Sequence, residues 1–214
     1  MLKKLLLLPI LFLLATITHA QTDWELKTDK DGIKVYLKDA PSSKLKAIKV
    51  ECTLDVTLSQ FAFVIMDVRG SKDWVYSTKS CELIKQVSPL ELYYYSEINL
   101  PWPATDRDFV AHLVVHQNPS TKVVTIDADN LPGMVPEKPN IVRVKQGVGK
   151  WVATPAGPRT VKVEYTLFTD PAGSLPTWLI NMFVTKGPME SFKNLKEHLK
   201  QPIYSQARLP FIKD

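Results

Sequence analysis

A run of six strand-like segments between residues 80 and 169 constrains the fold of this chain more than any other feature. The segments lie around residues 80–87, 90–98, 107–117, 121–129, 140–153 and 159–169. Residues that favour turns (Pro, Gly, Asn and Asp) separate them. Consecutive strands of this kind predict a large antiparallel sheet.

Three more strands and one helix are predicted before this run. Two short strands flank the Asp31-Gly32 turn, and a third carries alternating lysines in KLKAIKVECTLDV. The period then changes in TLSQFAFVIMDVRGSKDW, whose apolar residues fall on one helical stripe. Thr57 or Ser59 is expected to cap this helix, and Gly70 to stop it.

The chain ends with a long helical pattern, GSLPTWLINMFVTKGPMESFKNLKEHLKQ. We expect a helix from about 175 to 200, bent or divided at Pro188 because proline lacks an N–H and clashes with the preceding turn. One early helix, many antiparallel strands and one terminal helix make an α+β fold. A bent sheet closed by the last helix would leave a cavity between them, where a ligand can bind.

The first twenty residues, MLKKLLLLPILFLLATITHA, have the pattern of a secretory signal peptide. Lys3 and Lys4 begin it, an apolar core follows, and Thr18-His19-Ala20 is a small-residue cleavage site. The apolar run is too short for a comfortable membrane span. We predict cleavage after Ala20 and an exported protein, periplasmic or secreted; an uncleaved anchor is the alternative.

The composition limits the classes of partner. The 27 basic and 22 acidic residues give a net charge of +5, which falls to +3 when Lys3 and Lys4 leave with the signal peptide. A charge this small, without a basic cluster, argues against nucleic-acid binding but allows a weak, transient contact with an anionic membrane surface. Residues 21–214 suffice for one domain, and we expect a monomer.

The two cysteines, Cys52 and Cys81, both lie in strand-like segments. An oxidising compartment could join them in a disulfide. Cys52 is in phase with the apolar residues Ile48, Val50 and Leu54, so a buried free thiol is the competing interpretation.

The segment RDFVAHLVVHQ combines charges with an apolar strand face. One face of the extended chain holds Arg107, Phe109, Ala111, Leu113 and Val115. A lone buried charge is costly unless it is paired. Two interpretations follow: a structural ion pair with Glu97, Asp106 or Asp108, or the polar end of a cavity where Arg107 contacts a ligand head group. General acid/base catalysis is a third.

A set of segments occurs in the order found in START domains: DGIKVYLKD, a Trp after the first helix (Trp74), LPWPATDRDFV, PEKPNIVRVKQGVGKWVATP and DPAGSLPTWLINMFVTKGP. Over roughly residues 24–200 the chain resembles the StAR-related lipid-transfer family, particularly its short exported bacterial members. The resemblance implies a helix-grip fold, a bent antiparallel sheet around a long C-terminal helix with a tunnel for one hydrophobic molecule. Several sterol-binding animal members carry a second interior Arg where this chain has Leu113, so sterol specificity is not implied.

The resemblance also implies positions that contact a ligand. The candidates for the cavity wall are Arg107, Phe109, Ala111, Leu113, Tyr165, Trp178, Met182 and Phe183. The loop NLPGMVPEKPN corresponds to the family's flexible loop beside the tunnel entrance. Its apolar tip, Met134 and Val135, is a candidate gate that could also contact a membrane, and packing against the terminal helix is the alternative.

The predicted function is non-catalytic binding, and transfer, of a lipid or other hydrophobic small molecule in the periplasm. No cofactor or metal is expected, because His112 and His116 lie roughly 13 Å apart along one strand and no phosphate-binding or nucleophile motif occurs. Two alternatives stay open. One is a helix-grip enzyme of the cyclase or hydratase type, and the other is a ligand sensor that docks onto a partner.

Overall fold

The computed structural model describes residues 23–39 and 46–214 of the chain. The predicted signal peptide and its cleavage site lie outside these residues, so export stays a prediction. In the described ranges, no helix has both the length and the apolar character needed to cross a bilayer.

In the described residues ten strands form one sheet. Nine of them follow the order β1-β2-β3-β10-β9-β7-β6-β5-β4 with antiparallel neighbours, and β8 pairs with β6 beside this path. The strands are β1 (Glu25–Lys30), β2 (Ile33–Asp39), β3 (Lys46–Leu54), β4 (Thr78–Ser88), β5 (Glu91–Ile98), β6 (Arg107–Gln117), β7 (Val124–Asn130), β8 (Val142–Arg143), β9 (Gln146–Gly157) and β10 (Thr160–Asp170). The predicted segment 140–153 is two strands, because β8 pairs in parallel with the start of β6 before the chain joins β7 as β9. The other five segments are single strands, and the predicted α+β class is confirmed.

The early helix, α1, spans Leu58–Met66 and begins as the sequence pattern predicts. Thr57 is the N-cap: its side chain accepts a hydrogen bond from the backbone N–H of Gln60, whose side chain accepts from the N–H of Thr57 in return. The helix ends at Met66, earlier than predicted, and a short 3-10 turn at Gly70–Asp73 follows.

The C-terminal helix is continuous in path but changes type along its length. It consists of α2 (Thr177–Asn181), a π-helical turn (Met182–Lys186) and α3 (Gly187–His198), and a short α4 (Pro202–Ser205) follows. The helix is not divided at Pro188, because the π-helical turn lies just before Pro188 and the Gly187 N–H bonds to the Met182 carbonyl; the predicted bend there stays a prediction. Pro188 is then in the first turn of α3, where the absence of an N–H is tolerated.

The solid core lies where α1 and α3 cover the inner face of the sheet. Its strand residues include Val115, Val124, Ile126, Ala153 and Val163, all of which are buried. We call this part of the inner face the filled half. The α1 residue Phe61 and the α3 residues Phe192 and Leu195 pack in the same cluster.

Candidate ligand-binding cavity

A cavity of 330 Å³ lies between the inner face of the sheet and the C-terminal helix. Its wall comes from β3, β5, β6, β7, β9 and β10, from the segment Trp74–Tyr76, and from α2, the π-helical turn and α3. The volume is at the lower end of the range for small-molecule sites, roughly 300–1,000 Å³. The cavity is therefore large enough to hold a hydrophobic molecule.

Three central strands carry small residues where their inner faces border the cavity. Ala111 on β6, Ala128 on β7 and Gly149 on β9 line it, and Ala128 pairs directly with Gly149. Two residues further along the same strands, Ile126 pairs with Trp151 and fills the equivalent space. We call the part of the inner face that carries the small residues the hollow half.

The helical side of the cavity is formed by α2, the π-helical turn and α3. Leu179 and Ile180 of α2 and Phe183 and Val184 of the turn line the wall. The hydrogen bond of a π-helical turn spans one more residue than that of an α-helical turn. The turn therefore changes which side chains face the sheet. The π-helical turn therefore also shapes the wall of the cavity.

An aromatic cluster forms the border between the two halves. The Trp151 ring stacks on Tyr165 with ring centroids 4.1 Å apart and on Phe192 at 5.4 Å. The Trp74 ring meets the Trp151 ring edge-on at 6.3 Å, and all four rings line the cavity. Packed aromatic rings present a rigid apolar surface to a ligand.

Arg107 lies in the wall with 6% of its surface exposed, and its hydrogen-bond partners are backbone carbonyls. Its Nε donates to the Pro171 carbonyl at 3.0 Å, one Nη to the Ala172 carbonyl at 2.9 Å, and the other Nη to the Thr105 carbonyl. Burial lowers the pKa of the Arg107 guanidinium, and within residues 23–39 and 46–214 no carboxylate forms an ion pair with it. A positive charge without a counter-charge therefore borders the cavity.

The acidic neighbour Asp108 is paired with a different arginine. Arg143 on β8 binds both carboxylate oxygens of Asp108, at 2.7 and 3.0 Å, with both side chains buried. The guanidinium of Arg143 also donates to the carbonyls of Pro132, Val135 and Pro136. The pair thus anchors the loop before β8 to the sheet.

The other two acids at this corner also have lysine partners. Glu97, which is buried, pairs with Lys79 and lies 3.5 Å from the Lys138 ammonium; the hydrogen bond from Lys79 lowers the pKa of the Glu97 carboxyl. Asp106 accepts from the Leu100 N–H at 3.0 Å and pairs with Lys79 at 3.3 Å. The predicted ion pair of Arg107 with its acidic neighbours is wrong, because these carboxylates bind cations that the local sequence does not reveal.

The structure brings five of the eight predicted wall residues to the cavity. These are Arg107, Phe109, Ala111, Tyr165 and Phe183. Their contact with a ligand stays a prediction.

The other three predicted wall residues lie elsewhere. Leu113 has the predicted strand face but is buried in the solid core, and Met182 lies in the π-helical turn outside the wall. Trp178 is 52% exposed, because α2 turns its neighbours Leu179 and Ile180 toward the cavity instead. None of the three lies in the wall of this cavity, and their contact with a ligand stays a prediction.

The candidate gate residues lie on a loop that does not line the cavity. Met134 is 40% exposed, Val135 is partly buried, and neither belongs to the wall. The Val135 carbonyl accepts a hydrogen bond from Arg143. A gating role for the loop stays a prediction.

Cys52 and Cys81 are free thiols. Cys52 lies in the core on β3, where burial raises the pKa of its thiol to about 12. Cys81 lies on β4 at the other end of the sheet order and donates to the Ser96 hydroxyl. The structure therefore favours the buried-thiol interpretation over the disulfide.

The sequence reasoning missed Tyr94, Arg143 and the small residues that open the cavity. Gly147 and Gly149 interrupt the strand pattern of β9, and glycine in a strand is a recognised sign of close approach or missing side-chain volume. That signal could have located the hollow half. Arg143 offers no comparable signal, since it is an ordinary basic residue in an alternating segment.

Comparison with known proteins identifies relatives of this chain. A family model described as START domain matches residues 11–203. An uncharacterised protein of Pseudomonas aeruginosa is 35% identical over 175 residues, which are 81% of this chain and 85% of that protein. The phosphatidylcholine transfer protein of Bos taurus is 28% identical over 177 residues, covering 80% of this chain and 82% of that protein.

Solved structures share the fold. The STAR-related lipid transfer protein fragment of Xanthomonas axonopodis is 29% identical, with a TM-score of 0.77, covering 84% of this chain and all of that one. Human StAR-related lipid transfer protein 5 is 19% identical with a TM-score of 0.71, covering 86% of this chain and 89% of that one. The predicted helix-grip fold and family resemblance are confirmed.

Proposed function

The chain belongs to the START domain family, and we propose that it binds a lipid or other hydrophobic molecule in its cavity and transfers it between membranes without catalysing a reaction. The observation that carries this proposal is the largely apolar cavity between the hollow half and the C-terminal helix. A lipid that crosses water must cover its apolar surface, at about 25 cal/mol per Å². The names of the relatives that transfer lipids support the same conclusion.

The composition of the wall supports binding rather than catalysis. Among the described residues that line the cavity, Arg107 and Lys46 are charged, and none is Asp, Glu, His or Cys. General acid/base catalysis most often uses His, Asp or Glu, and a serine such as Ser191 of the wall needs an adjacent base to act as a nucleophile. The wall provides a surface for an apolar molecule and one buried positive charge.

Arg107 supplies the polar end of the proposed site. Its guanidinium has five N–H groups, and three of its nitrogens each donate to one carbonyl. These carbonyls hold the guanidinium in place but do not neutralise its charge. The charge suits an anionic head group such as a phosphate or carboxylate. The head group and the apolar part of a lipid would therefore bind at different places in one cavity.

Two exposed tryptophans support a contact with a membrane. Trp102, in the turn between β5 and β6, is 89% exposed, and Trp178 on α2 is 52% exposed. Both belong to segments that also line the cavity, through Leu100 in the first and Leu179 in the second. Tryptophan favours the interface between lipid and water, so we propose that this side contacts a bilayer during loading.

The proposed location is outside the cytoplasm, in the periplasm or as a secreted protein. It rests on the signal-peptide pattern of residues 1–20. N-terminal sequencing of the protein purified from its own organism tests it: a chain beginning at Gln21 is expected, and a chain beginning at Met1 would contradict cleavage.

Native mass spectrometry of the protein purified from its own organism tests binding, and vesicle assays test transfer. We expect a co-purifying lipid, and protein-dependent movement of a labelled phospholipid between phosphatidylcholine/phosphatidylglycerol vesicles.

The double variant Trp102→Ser with Trp178→Ser should slow this movement of lipid between vesicles while equilibrium binding stays unchanged. Ile203→Ser is the matched control, because Ile203 is 59% exposed on α4 and does not line the cavity. A protein that is always empty, and that moves no lipid, would contradict the proposal.

The loop with Met134 and Val135 is a second candidate for the moving part. Replacing both residues with Ser should slow lipid exchange, with little change in stability, if the loop covers the entrance. If the folded double variant exchanges lipid at the normal rate, this loop does not cover the entrance, and the segments that carry Trp102 and Trp178 are the remaining candidates.

A further inference from the structure

Two tyrosines of the cavity wall differ from other tyrosines of the chain in their hydrogen bonding. Tyr94 on β5 and Tyr165 on β10 line the cavity, and neither hydroxyl makes a hydrogen bond to another described residue. Other tyrosines have carboxylate partners: Tyr36 with Glu51, Tyr95 with Glu97 and Tyr204 with Asp67. Both residues border the cavity, so a bound molecule can supply the acceptor that the described residues do not.

Space for a ligand lies beside both hydroxyls. Tyr94 pairs across the sheet with Ala111, and the Tyr165 hydroxyl is 3.6 Å from the position that a Cβ would occupy at Gly149. Ala111, Ala128 and Gly149 form the floor between the two strands that carry the tyrosines. An oxygen atom of a bound molecule can therefore approach either hydroxyl over small side chains.

The two hydroxyls remain hydrogen-bond donors under physiological conditions. Burial raises the pKa of Tyr94 and of Tyr165 well above the ordinary value, and the charge of an ionised Tyr165 would raise the pKa of Tyr94 further. Both groups are uncharged, in contrast to Arg107.

We infer that the hydroxyls of Tyr94 and Tyr165 form a subsite that binds an uncharged oxygen acceptor, such as an ester carbonyl, within an otherwise apolar ligand. The inference rests on the proposed function and narrows it. A pure hydrocarbon would leave both donors without acceptors, whereas a molecule with an ester group among its apolar parts would satisfy them. The subsite is distinct from Arg107, which is suited to an anionic group.

Two probes of similar size test the subsite: butyl benzoate, which carries an ester, and hexylbenzene, which carries no oxygen. Isothermal titration of the chain without residues 1–20 should show about fivefold tighter binding of butyl benzoate, the factor that corresponds to about 1 kcal/mol for one net hydrogen bond. Tyr94→Phe with Tyr165→Phe should remove this preference and leave the affinity for hexylbenzene unchanged.

Tyr93→Phe is the matched control. Tyr93 is on the same strand as Tyr94, but its ring stacks on His112 outside the cavity wall, so the preference for the ester should persist. A preference that survives in the Tyr94/Tyr165 double variant would overturn the inference, and so would equal binding of both probes by the unaltered protein. If the unaltered protein binds neither probe, the proposed function fails together with the inference.

Discussion

The filled half and the hollow half of the inner face share strands β6, β7, β9 and β10, yet only the hollow half leaves space for a ligand. In the filled half, Val115, Ile126 and Ala153 are buried under α1 and α3. In the hollow half, Ala111 and Ala128 line a cavity of 330 Å³. Both halves have the same alternation of apolar and polar residues, so alternation cannot distinguish them.

The difference shows that the cavity is located by the size of the side chains that pair across neighbouring strands, and not by their hydrophobicity. Ala128 pairs with Gly149, whereas Ile126 pairs with Trp151 two residues away. Protein interiors are otherwise close-packed, so a void of this size must be built from several small residues that face one another. The comparison makes four predictions, which follow from the largest expected effect to the smallest.

Removing side-chain volume should cost more in the filled half. Ile126→Ala should lower the free energy of unfolding by about 2–5 kcal/mol, because it opens a new void in a packed core. Leu167→Ala should cost less, about 1–2 kcal/mol, because Leu167 already borders empty space and only its burial is lost. Urea unfolding measures both variants, and equal losses would remove the distinction between the halves.

Adding volume should show the opposite contrast. Ala153→Leu should destabilise the protein by about 1–3 kcal/mol, since Ala153 is fully buried between Val124 and Val163. Ala111→Leu should change stability by less than about 1 kcal/mol, because the added methyl groups enter the cavity.

The same pair of variants reports on binding. Ala111→Leu should weaken the binding of hexylbenzene in isothermal titration, whereas Ala153→Leu should not, at a temperature where both are folded. Unchanged binding by the Ala111 variant would mean that the molecule binds elsewhere.

Arg107 tests the polar end of the hollow half. Arg107→Leu should cost about 1–2 kcal/mol of stability, because the carbonyls of Thr105, Pro171 and Ala172 lose their donor. It should also abolish any preference for decanoate over uncharged decanol in competition binding. A variant with unchanged stability and unchanged preference would show that the charge serves neither the fold nor a ligand.

The smallest expected effect is a pH dependence of stability caused by His198, which lies on α3 over the filled half. Burial lowers the pKa of His198 below its unfolded value of about 6.5, against the opposing effects of Asp73 and Asp67. The unfolded state therefore binds a proton more readily, and stability should fall as the pH decreases through 6.5 toward the folded pKa. Urea unfolding at pH 7.5 and 5.5 should show this loss, reduced in His198→Gln. An equal loss of stability in the unaltered protein and in His198→Gln would show that other groups cause the pH dependence.

Local patterns in the sequence were enough to predict most of the fold. The strands β4 to β7 and β10, the Thr57 cap and the terminal helix depend on periodicity and capping within a few neighbouring residues. The ordered motifs indicated the family, and the strand phase of Arg107 indicated a charge on the inner face. Each of these properties can be read from residues that are close together in the chain.

Only the tertiary structure decided which groups meet. Asp108 binds Arg143, 35 residues away, and Arg107 binds carbonyls of Pro171 and Ala172, 64 and 65 residues away. The cavity likewise depends on the register that places Ala128 opposite Gly149. A sequence specifies what each strand presents, but partners and voids depend on the pairing of distant segments, in which a shift of one residue would move every side chain to the other face.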